Sequence, residues 1–302
     1  MFFGSLDTVL RCWVGELFYL RIFLEDEKMR KVLILLLVLG VASMASAAGV
    51  TTTWKITGTQ DWLTATNWSA GLPTNEVGNS TTLYASTTQA NGPIINGAGA
   101  TALAIRCGGA GGPLGTTAHM TVQAGGDLTV GDFMLIAPDS ITGGGRNGML
   151  HMDGGTITLL TAQGKLGVGN GADGNPTGSQ NITGTLEMTG GNINARTMMI
   201  GANLTKGIVT ISGGTIDLII DFVMRPNALN PNVPSLTISG SGKIIVTGNL
   251  SDRILGYQGA GWINEEAVVT YNAGTNRTTI TPEPATLCLL GIGALSLIRR
   301  KR

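Results

Sequence analysis

Residues with the means to do chemistry are few in this chain of 302 residues. Asp127, Asp132, Asp139 and Asp153 are its densest acids. Glycoside cleavage needs two carboxylates facing one bond, and calcium-assisted chemistry needs a cage of oxygen ligands. Asp127 and Asp153 both fall at a glycine corner of a repeated unit, and could meet if the units stack in phase. The next units put Thr189 and Ser212 where Asp153 sits, so the acidic row stops. Asn170, Asp173 and Asn175 form an oxygen-rich loop, but without the Gly-Gly-x-Gly-x-Asp repeat of calcium-binding rolls. A nucleophilic Cys107 would need a partner histidine. Neither His119 nor His151 pairs with it by spacing. No Ser-His-Asp spacing, zinc cluster or phosphate loop occurs. The expectation is a chain that is no enzyme, with no catalytic residue, cofactor or metal ligand set.

A different chemistry is written at the C-terminal end, where this chain is the substrate. Pro282-Glu283-Pro284 is followed by Ala285-Thr286, an apolar run from Leu287 to Ile298, and Arg299-Arg300-Lys301-Arg302. Proline fixes φ and removes a donor, so the tripeptide is held extended and readable by a peptide-cleaving enzyme. The apolar run is shorter than the ~20 residues of a spanning helix. Its flanks and the snorkelling arginines lengthen it. Four cations at the end resist passage through a bilayer. The alternatives are an ordinary C-terminal anchor or a buried terminal helix. The order of parts resembles the PEP-CTERM sorting signal of Gram-negative bacteria. That resemblance implies an exosortase-type membrane protease as partner, with Pro282, Glu283 and Pro284 as the sorting signal. Arg299, Arg300, Lys301 and Arg302 are then the membrane-retention device.

The N-terminal end reads the same way. Met29-Arg30-Lys31 is a positive n-region, Val32 to Val41 an apolar h-region, and Ala45-Ser46-Ala47 a small-x-small site. Signal cleavage is expected at Ala45 and Ala47, after Ala47 or one residue later, with the Sec machinery as partner. Residues 1–28 then read as a start called too early; the alternative is a genuine amphipathic helix.

Between these ends, elements must be positioned by a repeat. Leu150-x-Met152-x-Gly154-Gly155-x-Ile157 recurs as Leu186-x-Met188-x-Gly190-Gly191-x-Ile193 and as Val209-x-Ile211-x-Gly213-Gly214-x-Ile216. Two variants carry one extra residue, from Met120 and from Leu236. A second apolar pair follows, as in Leu166-x-Val168 and Met198-x-Ile200. Apolar-x-apolar is a strand with one face inward, and Gly-Gly is a sharp corner with φ > 0. The unit lengths vary and the excess falls in loops. A constant two-strand core with loops on one side predicts an all-β fold, a parallel β-solenoid. The alternative is an antiparallel β-sandwich.

A solenoid end exposes its core and needs a cover. Trp54, Trp62 and Trp68 lie within one short stretch and predict an aromatic N-terminal cap. Their other reading is glycan contact through stacking on sugar faces. Trp262 and Tyr271 are candidates for the floor, ahead of a closing hairpin through Asn272-Ala273-Gly274-Thr275-Asn276. The tryptophan run followed by glycine-corner coils is similar to autotransporter-like or planctomycete-type exported β-helix proteins. The resemblance implies an architecture and an address, and no catalytic residue.

The body from Ala48 to Thr281 carries ten Lys and Arg against thirteen Asp and Glu, a net of −3. It has no basic block, so nucleic acid is an unsuitable partner. Of three cysteines only Cys107 lies in the body, so no disulfide forms within it. The expected organisation is an N-terminal extension (1–28), signal peptide (29–47), cap and first strands (48–110), solenoid repeats (111–250), C-terminal cap strands (251–281) and sorting segment (282–302). The expected protein passes through the inner membrane as an anchored intermediate, then reaches the outer surface or extracellular matrix. Its expected role is structural or adhesive. The alternatives are a carbohydrate-binding module for extracellular polysaccharide and, behind it, a polysaccharide-degrading enzyme.

Overall fold

Alternating apolar residues and glycine corners set the register of the body. The computed structural model describes residues 50–55, 60–76, 80–83, 92–108, 116–138, 147–159, 161, 163–170, 182–202, 205–226 and 233–284. Their architecture is all-β, with one short α-helix among the described residues.

The strands stack into three parallel ladders. The first joins β3 (Ile94–Ile95), β6 (Thr117–Val122), β9 (Asn147–Met152), β12 (Ile182–Met188), β14 (Thr205–Ile211) and β16 (Ser235–Ile238). The second joins β4 (Ala100–Ala102), β7 (Asp127–Val130), β10 (Thr156–Leu159), the first part of β13 (Asn192–Ala202), the first part of β15 (Thr215–Met224) and β17 (Lys243–Thr247). The third joins β1 (Thr51–Thr53), β2 (Ser80–Leu83), β5 (Ile105–Cys107), β8 (Phe133–Ile136), β11 (Lys165–Asn170) and the later parts of β13 and β15. Each turn of chain visits the ladders in that order. Parallel pairing in all three ladders sets aside the antiparallel sandwich.

The core consists of aligned columns. Val122, Met152, Met188, Ile211 and Ile238 are buried on the first ladder, and Leu128, Ile157, Ile193, Ile216 and Ile244 on the second. Ile105, Met134, Leu166, Met198 and Phe222 follow on the third. Neighbouring strands lie ~4.8 Å apart, so each side chain is sandwiched between its counterparts above and below. The expected two-strand core is therefore corrected to three strands per turn. The missed bend lies between the second and third ladders. β13 and β15 run straight through it, with a register shift between Ala195 and Thr197 and no glycine pair to mark it. On β15 the same bend turns Ile219 and Ile220 outward.

The corner between the first and second ladders behaves as its glycines require. Gly191 has φ +83°. A Cβ built there would come within 2.6 Å of the Gly154 and Gly155 backbone. Corners thus stack backbone on backbone, which only glycine allows.

Both ends are covered. Trp62 and Trp68 are each 1% exposed and Trp54 is 8% exposed. Trp68 meets Trp54 edge-on at 5.0 Å and Trp62 at 4.7 Å, and its Nε1–H donates to the Trp62 carbonyl at 2.8 Å. Asp61 bridges to Ile94 and carries the first ladder into this cap. At the far end, the stretch expected as cap strands opens instead on a helix, α1 (Ser251–Gly259), ahead of the expected hairpin. Ile254 buries its side chain, Tyr257 packs on Phe222, and Arg253 pairs with Asp221. β18 (Ala267–Asn272) and β19 (Arg277–Pro282) form the closing hairpin, and β19 pairs antiparallel with β17. Trp262 stacks on Tyr257 at 5.5 Å. Tyr271 departs from the expected floor: it is 37% exposed and its hydroxyl meets Asn276 Oδ1 on the hairpin turn.

Candidate functional site

The sorting tripeptide grows directly out of the last strand of the body. β19 pairs with β17 from Arg277 to Ile280, whereas β18 accompanies it through Pro282, which lies opposite Ala267. Pro282 thus sits where one neighbour has ended, and its missing N–H removes no ladder bond on that side. Glu283 N–H donates to the Glu266 carbonyl at 2.7 Å. Pro282 is half-buried, and Glu283 and Pro284 are exposed.

The segment beneath the tripeptide is fixed from two directions. Gln258 Nε2 of α1 lies 3.2 Å from the Asn264 carbonyl, 3.0 Å from that of Glu265 and 2.8 Å from that of Ala267. Asn264 lends its side chain to the open edge of β16. Its Oδ1 accepts from Ile238 N–H at 2.9 Å and its Nδ2 donates to the Ile238 carbonyl at 3.1 Å. An amide side chain can copy a strand's donor and acceptor in this way. Sequence reasoning did not single out Gln258, Asn264 or Glu266. Only the Trp-Ile-Asn context before a hairpin hinted at an end cap.

The other chemical residues are dispersed on the outer faces. His151 Nε2 lies 2.8 Å from Asp153 Oδ1, and its Nδ1 lies 3.5 Å from Glu187 Oε2 on the next turn. Thr189 Oγ1 donates to Asp153 Oδ1 at 3.0 Å. This polar cluster ties β9 to β12 across the surface. Asp127 and Asp153 do not share a corner position. Asp153 N–H donates to the Val122 carbonyl before the corner, whereas Asp127 follows it and pairs with Thr156. Thr189 and Ser212 do continue the Asp153 column, donating to the Met152 and Met188 carbonyls. Arg106 stands 4.7 Å over the Phe133 ring; burial lowers its basicity and Asp132 opposes that.

Cys107 is fully buried, 3.4 Å from the Ala118 carbonyl oxygen. Burial pushes its thiol up to about 12. A thiol that stays protonated at neutral pH is a poor nucleophile. The three cap tryptophans are packed against one another, so their rings present no open face to a sugar. Ala45, Ala47, Asp139, Asp173, Asn175 and Arg299, Arg300, Lys301 and Arg302 lie outside the described residues, as does the apolar run from Leu287 to Ile298. Among the described residues no helix is long and apolar enough to cross a membrane, and no group of three or more His, Cys, Asp or Glu could hold a metal ion.

Residues 281–302 match the family model of the PEP-CTERM protein-sorting motif. No curated protein and no solved structure matches the chain. The match covers the tail alone and marks the chain as exported and membrane-sorted.

Proposed function

We propose that this chain is an exported structural or adhesive protein of the cell surface or extracellular matrix. Its body is a three-sided parallel β-solenoid. An exosortase-type membrane protease releases it by acting at Pro282-Glu283-Pro284, after Sec export. The observation that carries the reading is the Pro-Glu-Pro segment that leaves the last strand of the body, exposed at Glu283 and Pro284 and coinciding with the matched sorting motif. In-register ladders support the scaffold role, because such a stack is held by its core and backbone bonds without disulfides. The carboxylates and imidazole beside the glycine corner hold one another across two successive turns, a surface tie that suits a scaffold.

Replacing Pro282, Glu283 and Pro284 together with alanine tests the reading. Export should persist, because the signal segment ending at Ala47 is untouched. The uncut chain should then collect in the inner membrane with its basic end in the cytoplasm, as the positive-inside rule requires. Membrane fractionation and intact mass read the outcome. A variant that reaches the surface at wild-type mass would make the tail an incidental anchor.

A further inference from the structure

Pro282-Glu283-Pro284 has a single backbone donor, since proline carries no N–H. That donor is already committed: Glu283 N–H donates to the Glu266 carbonyl at 2.7 Å. The acceptor is held in turn by Gln258, which reaches the carbonyls on both sides of it at Glu265 and Ala267. Pro282 is still in register with Ala267, and only Glu283 and Pro284 are exposed.

We infer that this clamp decides where and how fast the tail is removed. The cut falls at the Pro284–Ala285 peptide bond or C-terminal to it, and the mature body keeps Pro282, Glu283 and Pro284. The inference rests on the sorting reading and adds the position of the cut and the residues that gate it.

Enzymes that read extended peptides grip the substrate backbone as an added strand. From Ala267 opposite Pro282 to Asn272 opposite Arg277, the body's own hairpin already uses that backbone. A cut before or within Pro282-Glu283 would require peeling β19 from β18. The Glu283–Pro284 bond is a tertiary amide, whereas the next bond joins Pro284 to an ordinary N–H residue. In hydrolysis there, water adds to the Pro284 carbonyl carbon and the C–N bond breaks. The body gains a carboxylate at Pro284, and the amine of the released tail takes up a proton.

The test uses the full chain in its source cell. Mass spectrometry of the C-terminal peptide locates the cut, and pulse-chase follows the appearance of the mature form. Two variants loosen the clamp: Gln258→Leu removes its support, and a short Gly-Ser insertion between Thr281 and Pro282 detaches the tripeptide while leaving the clamp residues in place. The wild-type peptide should end at Pro284 or beyond. Detachment should speed processing by about two- to tenfold, the factor that one net hydrogen bond corresponds to. A mature end at Glu283 or earlier overturns the inference, as does an insertion variant processed no faster than wild type. A surface chain that still ends in Arg302 sinks the sorting reading itself, so the two failures are distinct.

Discussion

His119 stands on the outer side of β6, in register with Met149. Burial pushes its imidazole below the ordinary value. The unfolded chain therefore binds the proton more readily than the folded one, so stability rises with pH and is lost as pH falls through the ordinary histidine range near ~6.5 and below. His119→Gln should flatten this term. Thermal melts at pH 8 and pH 5 should show a smaller acid-side loss for the variant than for wild type, and equal losses would contradict the assignment. The residue scale was also the least legible in sequence. The Thr189 and Ser212 column was readable because it repeats in phase with the glycine corner. Asn264, Gln258 and Glu266 were not, because each acts once, through a backbone carbonyl or an edge bond that only the folded end cap creates. Asp127 and Asp153 flank the glycine pair from opposite sides, so stacking in phase sets Asp127 beside Thr156 rather than beside Asp153.

Strand phase carries the elements. Ile211 is fully buried between Met188 and Ile238, whereas its neighbour Ser212 is exposed at the corner. Ile211→Asp puts an unpaired charge into the column and should cost several kcal/mol. Ser212→Asp should stay within ~0.5 kcal/mol. Chemical denaturation of both variants checks this, and equal effects would mean the phase is wrong. The phase was legible because apolar-x-apolar before Gly-Gly leaves one choice of inward face. The split between the second and third ladders was not: the apolar pairs Leu166-x-Val168 and Met198-x-Ile200 of the third repeat visibly, but inside β13 and β15 the bend that parts them from the second is a bulge in a continuous strand rather than a turn with its own residues. Helix α1 was hidden for a related reason: it is short, contains Gly256, and is placed by Phe222 packing and the Arg253–Asp221 pair more than by its own periodicity.

At the scale of the molecule, the tail was legible as an ordered set of tripeptide, apolar run and cations, a pattern that needs no fold to be read. The body was legible as a stack through its repeat, and its covers through their tryptophans. Register stacking is the claim on which both the scaffold role and the placing of the tail depend. It can be measured on the body with pairs of spin labels at introduced cysteines, because the buried Cys107 thiol, pushed up to about 12, should stay unlabelled in the folded protein. Thr129, Thr158, Asn194, Asp217 and Ile245 form one outward column on the second ladder, with Thr101 paired to Thr129. Labels at Thr129 and Ile245 span four strand steps, or about 19 Å between backbones, and labels at Thr101 and Ile245 span five, or about 24 Å. The two mean distances should therefore differ by one strand spacing, ~5 Å, with narrow distributions in both. Distances that are equal, or that shorten when the label moves from Thr129 to Thr101, would contradict the stacked coils.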